Sequence, residues 1–349
     1  MSAFSKRRGK LRRLATGYSN ILATKPQNLF YLTGFWGGGV GLVLEDRVLL
    51  ITTQMETPRA EVSCTETEVV GVPTRVDIWK EVQRHLEDGT SLVDSYYRKT
   101  PVRKLVVSEE EFLQGRRAKD DEEVGRIMSA SKRIDKLYEL VEREARAGMT
   151  ERQVAAEVMR MAVREGLTPF GSEGSLSPVI VAAGENGAYP HAELTGRELR
   201  EGDFVVVDLF FRFDGYGSDE TRTFGVGRIS SEKKRHYQAV LSAQLRGCEL
   251  AKEGLECSEL HREVVRQFKK VSLSDYFTHG TGHGVGVDVH EMPSIGRTSS
   301  DILQRGDVVT VEPGLYFPGR YGIRIEDTLV IDKRPRILTR YAKELVTLG

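Results

Sequence analysis

The chain has 349 residues, with 51 Lys+Arg against 51 Asp+Glu and 39% hydrophobic residues, enough for two domains that each bury a core. A formal net charge of zero leaves no global field to draw it to nucleic acid or an anionic membrane. Apolar runs such as VGLVLEDRVLLI are cut by charges well before the roughly 20 residues a membrane span needs.

The chain opens with six basic residues in its first thirteen. No apolar stretch with a small-residue cleavage site follows them, so they read as the solvated face of an N-terminal helix and not as a signal peptide. Cys64, Cys248 and Cys257 are odd in number and form no CxxC pair, which points to a reducing compartment and a cytoplasmic protein. From about 19 to 110, short β-rich runs (Ile21-Leu22, Leu29 to Leu32, Gly41 to Thr52, Lys104 to Ser108) alternate with a helical stretch near Asp77 to Leu86. This reads as a small α/β domain. The charged segment SEEEFLQGRRAKDDEE marks its end, giving expected domains 1–113 and 114–349.

Val124, Ile127, Met128, Ile134, Leu137, Tyr138 and Val141 recur at helical spacing and predict a long amphipathic helix, stopped by Gly148. Thr150-x-x-Gln153 is a capping box opening a second helix through Arg164, which ends at Gly166. Strand-and-turn texture follows from Gly171 to Gly227. A second helix pair covers about Ser231 to Lys252 and Ser258 to Lys270, and further strands run to the end. REGDFVVVD (Arg200 to Asp208) and QRGDVVTVE (Gln304 to Glu312) match in pattern. The region from 114 onward therefore reads as a duplication, two similar halves packed face to face.

Asp214-Gly215 between apolar runs is a two-residue hairpin signal. Pairing about it sets Phe213 opposite Tyr216 and Phe210 opposite Asp219, so Asp208 and Asp219 become diagonal neighbours on one face. In EPGLYFPGRYGIRIED, a turn at Pro318-Gly319-Arg320 pairs Phe317 with Tyr321 and sets Glu312 opposite Glu326. Pro313 removes a ladder donor and weakens that register near Glu312. Clustered carboxylates among apolar strand residues repel unless a cation lies between them. Four carboxylates with one imidazole suit Mn²⁺, Fe²⁺ or Co²⁺, or Zn²⁺ in an expanded geometry. Four negative charges exceed what one divalent ion neutralises, so two ions sharing an activated water are expected.

The stretch HGTGHGVGVDVHE carries His279, His283 and His290. It lacks the GK[ST] of a phosphate loop, and its glycines exclude the helix that the His279/His283 spacing would otherwise suggest. If the segment is extended, His283 and His290 point to opposite sides and do not share an ion. Spacing alone leaves open which of the two is the ligand.

These motifs resemble the pita-bread metallopeptidases, in the branch of Xaa-Pro dipeptidases (prolidases) and Xaa-Pro aminopeptidases. The matching elements are PHA at 190–192, DLFFRFDGYGSDETRTF, HGTGHGVGVDVHEMP, VEPGLY and YGIRIEDTLVI, with NLFYLTGF similar to the creatinase-type N-terminal domain. The resemblance implies a smaller N-terminal α/β domain before two pseudo-symmetric halves, with helix pairs outside a curved antiparallel sheet. It further implies two divalent ions per subunit, Mn²⁺ or Co²⁺ before Fe²⁺ or Zn²⁺, held by Asp208, Asp219, His283, Glu312 and Glu326.

By the same resemblance Glu312 doubles as general base, and His290 or His191 stabilises the tetrahedral intermediate. His279 lies on the substrate side, joined by Tyr316 and Arg324 near the metals. The substrate amino group would sit beside Asp208 or Asp219, which confines attack to an N-terminal Xaa-Pro bond in dipeptides or short peptides. A homodimer is implied, with small peptides as partners. Two departures stand out. Ser294 occupies the position after HExP where dipeptide-specific enzymes carry a carboxylate-binding Arg, with Arg297 three residues on. Leu209-Phe210 replaces the usual DxG after the first ligand, and Phe210 is expected to crowd the strand floor. The rivals are an Xaa-Pro aminopeptidase acting on longer peptides and a non-catalytic binding protein on the same fold.

Overall fold

The computed structural model describes residues 2–95, 102, 104–169 and 179–349, so the start of the strand-and-turn segment expected from Gly171 lies outside the described residues. The chain forms two compact units, Met1–Arg116 and Arg117–Gly349.

The first unit is one six-stranded sheet, ordered β4-β3-β2-β1-β5-β6. Its elements in chain order are α1 (Ala3–Leu14), β1 (Asn20–Ala23), α2 (Pro26–Thr33), β2 (Val40–Val43), β3 (Val48–Thr53), α3 (Thr57–Ser63), β4 (Glu68–Val72), α4 (Arg75–His85), β5 (Ser91–Val93) and β6 (Leu105–Val107), with α5 (Glu110–Arg117) running to the boundary. Alternation assigns the two faces. Ile21, Ala23, Leu50 and Leu92 pack with Leu11, Leu29, Leu32, Ala60 and Phe112, whereas Leu22, Leu49, Ile51 and Val93 pack with Ile78, Trp79 and Val82. Both faces are covered, so the strands read as unbroken apolar runs.

One expectation fails in this unit and another holds only in part. Leu29 to Leu32 is helical, because Pro26 starts α2 and Gly34 (φ 83°) caps it. The basic residues of α1 form a solvated face only in part, with Lys6 and Arg13 exposed but Arg7 and Arg8 buried. Arg8 is buried, and its guanidinium donates to the carbonyls of Leu32, Thr65 and Glu66. Arg7 lies over the Phe4 and Tyr31 rings. Trp36 is half-buried, edge-on to Phe30.

The second unit opens with α6 (Asp121–Glu144), started by an Asp120/Glu123 capping box. It ends before Gly148, and α7 (Glu151–Arg164) follows with both bonds of the Thr150/Gln153 capping box made. Next come β7 (Thr168–Pro169), β8 (Val179–Ala183), β9 (Phe204–Phe213) and β10 (Tyr216–Val226), then α8 (Ser231–Leu250) and α9 (Cys257–Lys269). The remaining strands are β11 (Gly282–Gly284), β12 (Glu291–Ile295), β13 (Val308–Val311), β14 (Gly314–Phe317), β15 (Tyr321–Arg324), β16 (Asp327–Val330), β17 (Arg336–Ile337) and β18 (Thr347–Leu348). One five-stranded sheet holds β18-β10-β9-β7 with β8 beside β9. A second runs β12-β11-β13-β16-β17, and β14-β15 is a hairpin.

Strand period two decides what faces the helices. Val205, Val207, Leu209, Phe211, Phe224 and Val226 pack into the α6–α7 core. Val309, Val311, Leu329 and Ile331 pack with Cys248 and Leu260 of α8 and α9, and Ile323 and Ile325 pack with Val240 and Val264. Residues of opposite parity, Asp208, Asp219, Thr221, Thr310, Glu312, Arg324 and Glu326, are thereby turned away from both helix pairs.

Candidate metal centre

The β9–β10 hairpin has the expected register, Phe213↔Tyr216 and Phe210↔Asp219, with Asp208↔Thr221 next on the same face. In the second half Phe317 pairs with Tyr321 and Gly314 with Arg324, while β13 and β16 pair Val311 with Asp327. Both ladders share one register, in which Glu312 would oppose Glu326, but neither contains that pair. Pro313 has no amide proton, and the ladder breaks there. Glu326 instead donates its backbone N–H to Thr221 O at 3.0 Å, which joins the two hairpins across the site.

Asp219, His283 and Glu326 offer three donor atoms within 4.8 Å of one another. His283 Nε2 lies 3.3 Å from Glu312 Oε1 and 3.9 Å from Asp219 Oδ2. His283 Nδ1 is 3.0 Å from the Gly284 carbonyl, which can only accept, so Nδ1 carries the proton and Nε2 turns a lone pair toward the carboxylates. Asp208 adjoins from β9, where Arg324 Nη2 donates to its Oδ2 at 2.5 Å.

The electrostatics call for a cation. Burial first, then the charges of Asp208 and Glu312, holds the Asp219 carboxyl well above its ordinary range. Glu326 is raised by burial and then Asp219, and Glu312 is raised chiefly by burial. Asp219 Oδ1 is buried with no hydrogen-bond partner. A buried, unbonded carboxylate oxygen beside an imidazole lone pair is costly alone and suits divalent ion coordination. The residues present fit such a group.

The remaining predicted residues converge on one side. His279 Nδ1 donates to the Gly280 carbonyl, so its Nε2 accepts from Tyr316 Oη at 3.0 Å, and Tyr316 Oη accepts in turn from Arg324 Nη1 at 2.7 Å. Burial pushes the Tyr316 hydroxyl up to about 12 against the pull of Arg324. His191 is exposed in the loop between β8 and β9 and acts electrostatically on both His279 and His290. His290 keeps solvent contact, yet the protein around it and then the His283 ring hold its imidazole down to about 4.

The premise that His283 and His290 point apart does not hold. Residues 285–290 turn, with Gly286 N bonded to Asp288 O and Asp288 N to Glu291 Oε1. The two rings consequently touch edge to face at 4.3 Å between centroids. Among the described residues, only His283 joins the acidic cluster.

The Phe210 ring lies over Gly217 on the strand floor. A Cβ at 217 would stand 2.2 Å from Phe210 Cζ. Ser294 pairs with His283 across β11–β12 and is exposed.

Several residues escaped the sequence reading. Thr221 Oγ1 donates to Glu326 Oε2 at 2.6 Å and accepts from Arg324 Nε, and Thr223 Oγ1 binds the backbone of Arg324. Their alternation with Asp219 in DETRT was the available signal. Lys119 and Glu291 form a buried ion pair at 2.9 Å beside Gly286.

The model of "Metallopeptidase family M24" matches residues 125–333, and that of "Creatinase/Prolidase N-terminal domain" matches 7–104. The chain is 32% identical to an Xaa-Pro dipeptidase of Pyrococcus furiosus over 93% of this chain and 94% of that protein. Among solved structures, an Xaa-Pro dipeptidase from Bacillus anthracis superposes with TM-score 0.89 at 29% identity, covering 99% of this chain and 100% of the other. An X-Pro aminopeptidase from Thermotoga maritima gives 0.88 at 29% identity, covering 98% and 99%.

Proposed function

Because the chain belongs to metallopeptidase family M24, matched over more than half its length, we propose that it hydrolyses the Xaa-Pro bond of dipeptides at a dinuclear metal site. The carrying observation is the buried cluster of Asp219, His283 and Glu326, with Asp208 and Glu312 adjoining, in a chain similar along its whole length to Xaa-Pro dipeptidases. Asp208, Asp219, His283, Glu312 and Glu326 would hold two divalent ions. When bound, the ions supply Lewis acidity toward the scissile carbonyl and acidify water enough for attack at neutral pH. Oxygen-rich donors favour Mn²⁺ or Co²⁺.

Glu312 is the general base. Its Oε1 faces His283 and Thr310, and Oε2 takes the proton, a role that suits the raised proton affinity of its buried carboxyl. His290 is neutral at pH 7 and donates one ring N–H to the developing oxyanion, with His191 beside it. The Arg324–Tyr316–His279 chain orients the substrate side, and burial keeps Tyr316 protonated. Three thiols without a disulfide are in keeping with a reducing cytoplasm, and a homodimer, which the resemblance implies, completes the proposal.

The test is hydrolysis of Gly-Pro, Met-Pro, Xaa-Pro-Xaa tripeptides and Met-Ala-Ser by the purified protein with Mn²⁺ or Co²⁺. Cleavage of the Xaa-Pro dipeptides alone is expected. Equal cleavage of tripeptides would move the assignment to an aminopeptidase, and no metal-dependent cleavage would end it.

A further inference from the structure

Glu151 is the first residue of α7, yet it caps nothing. Thr150 and Gln153 make the capping box, and a solvated carboxylate there would interact with the helix dipole equally well. Its side chain is instead wholly buried. Oε1 accepts from Ala183 N at 2.8 Å and Asn186 Nδ2 at 3.1 Å. Oε2 accepts from Asn186 Nδ2 at 3.0 Å, Thr195 N at 2.9 Å and Thr195 Oγ1 at 2.6 Å. Asn186 Nδ2 also reaches Glu193 O at 3.1 Å. A buried anion is tolerated only with its lone pairs filled, and all the donors here come from the two ends of one loop, 183–195.

The middle of that loop reaches the metal centre. It carries His191, and its Pro190 carbonyl accepts from Arg324 Nη1 at 3.2 Å. Its Gly187 carbonyl lies so close to Gly322 that a Cβ there would stand 1.9 Å away. Arg324, two residues beyond Gly322, is the group that bonds both Asp208 and Tyr316.

We propose that Glu151 is a positioning residue: its carboxylate ties the two ends of loop 183–195 so that His191 faces the reacting bond and Pro190 O holds Arg324. This rests on the peptidase reading for the role of His191. Glu151→Gln keeps the shape but turns an amide NH₂ toward groups that are themselves donors, leaving at least one unpaired.

The experiment is steady-state kinetics of the metal-loaded enzyme on an Xaa-Pro dipeptide, with metal content and amide hydrogen exchange measured alongside. Glu151→Gln is expected to lower kcat roughly 10- to 100-fold, the scale of a 1 Å misplacement, with KM and metal content retained. Exchange in 183–195 should quicken, and little further loss should appear when the change is added to His191→Ala. Unchanged kcat, metal lost in parallel, factors that multiply with His191→Ala, or a fully active His191→Ala would each overturn the proposal. If Glu151→Gln does not fold, Thr195→Val decides. It removes one of the four donor groups and is expected to cost about 3- to 10-fold in kcat with the same non-additivity, and wild-type kcat there overturns it. An inactive wild-type enzyme would refute the peptidase reading instead.

Discussion

His283 Nε2 faces Glu312 Oε1 at 3.3 Å while its Nδ1 is committed to the Gly284 carbonyl. A lone pair thus meets a carboxylate in a buried site, an arrangement that a bound cation turns from repulsive to attractive. His290 touches the same ring from outside the cluster. His283→Ala is therefore expected to lower metal affinity beyond the roughly 10- to 100-fold that loss of an outer partner costs. His290→Ala should retain metal and lose about 10²- to 10³-fold in kcat. Metal analysis after dialysis, paired with kinetics, separates the two, and equal metal loss in both would refute the assignment.

Phe210 and Gly217 should be coupled. A methyl at 217 meets the Phe210 ring, so Gly217→Ala is expected to destabilise by about 1–3 kcal/mol through overpacking. In a Phe210→Ala background the same change should cost clearly less. Urea midpoints of the four proteins check this, and equal costs in both backgrounds would show that the ring does not set the constraint.

The buried Lys119–Glu291 pair lies against Gly286 in the turn between His283 and His290, and Glu291 also accepts from Asp288 N. Glu291→Ala leaves a buried ammonium unpaired and should cost about 3–5 kcal/mol. Replacing both residues, Lys119→Met with Glu291→Leu, should recover part of that. Chemical denaturation of the metal-free protein reads both, and a double variant no more stable than Glu291→Ala would contradict the account.

His261 supplies a pH dependence. Its Nδ1 lies 3.0 Å from Thr281 Oγ1, and burial, with Arg297 nearby, holds the imidazole below its ordinary 6.5. Below pH 6.5 the unfolded chain binds a proton that the folded chain resists. The stability tied to neutral His261 is thus present above 6.5 and is lost as pH falls through the lower folded value. Asn in its place cannot titrate. The Tm deficit of His261→Asn relative to wild type should therefore shrink between pH 7.5 and pH 5, and a constant deficit would refute the linkage.

The legibility of the site followed from how strongly local chemistry fixed register. Asp214-Gly215 admits one tight turn, and that alone aligned Asp208 with Asp219. Glu312 and Glu326 were harder, since Pro313 interrupts the ladder between two segments that keep the same register on either side. The histidine stretch misled because strand alternation was applied across residues 285–290, where turn bonds bring His290 back against His283. Leu29 to Leu32 looked β-like by its aromatic and aliphatic content, while the flanking Pro26 and Gly34 were the better guides. Thr221, Glu151 and Lys119 escaped notice because each acts through a partner distant in sequence, which no local pattern reveals.

The central claim is most directly tested by titrating Mn²⁺ or Co²⁺ into metal-free protein while following both binding and Gly-Pro hydrolysis. Activity should be absent without metal and should rise to a plateau at two ions per chain, and His283→Ala should fail to reach it. Hydrolysis that is undiminished in metal-free protein, or a His283→Ala variant that binds two ions as tightly as wild type, would contradict the account.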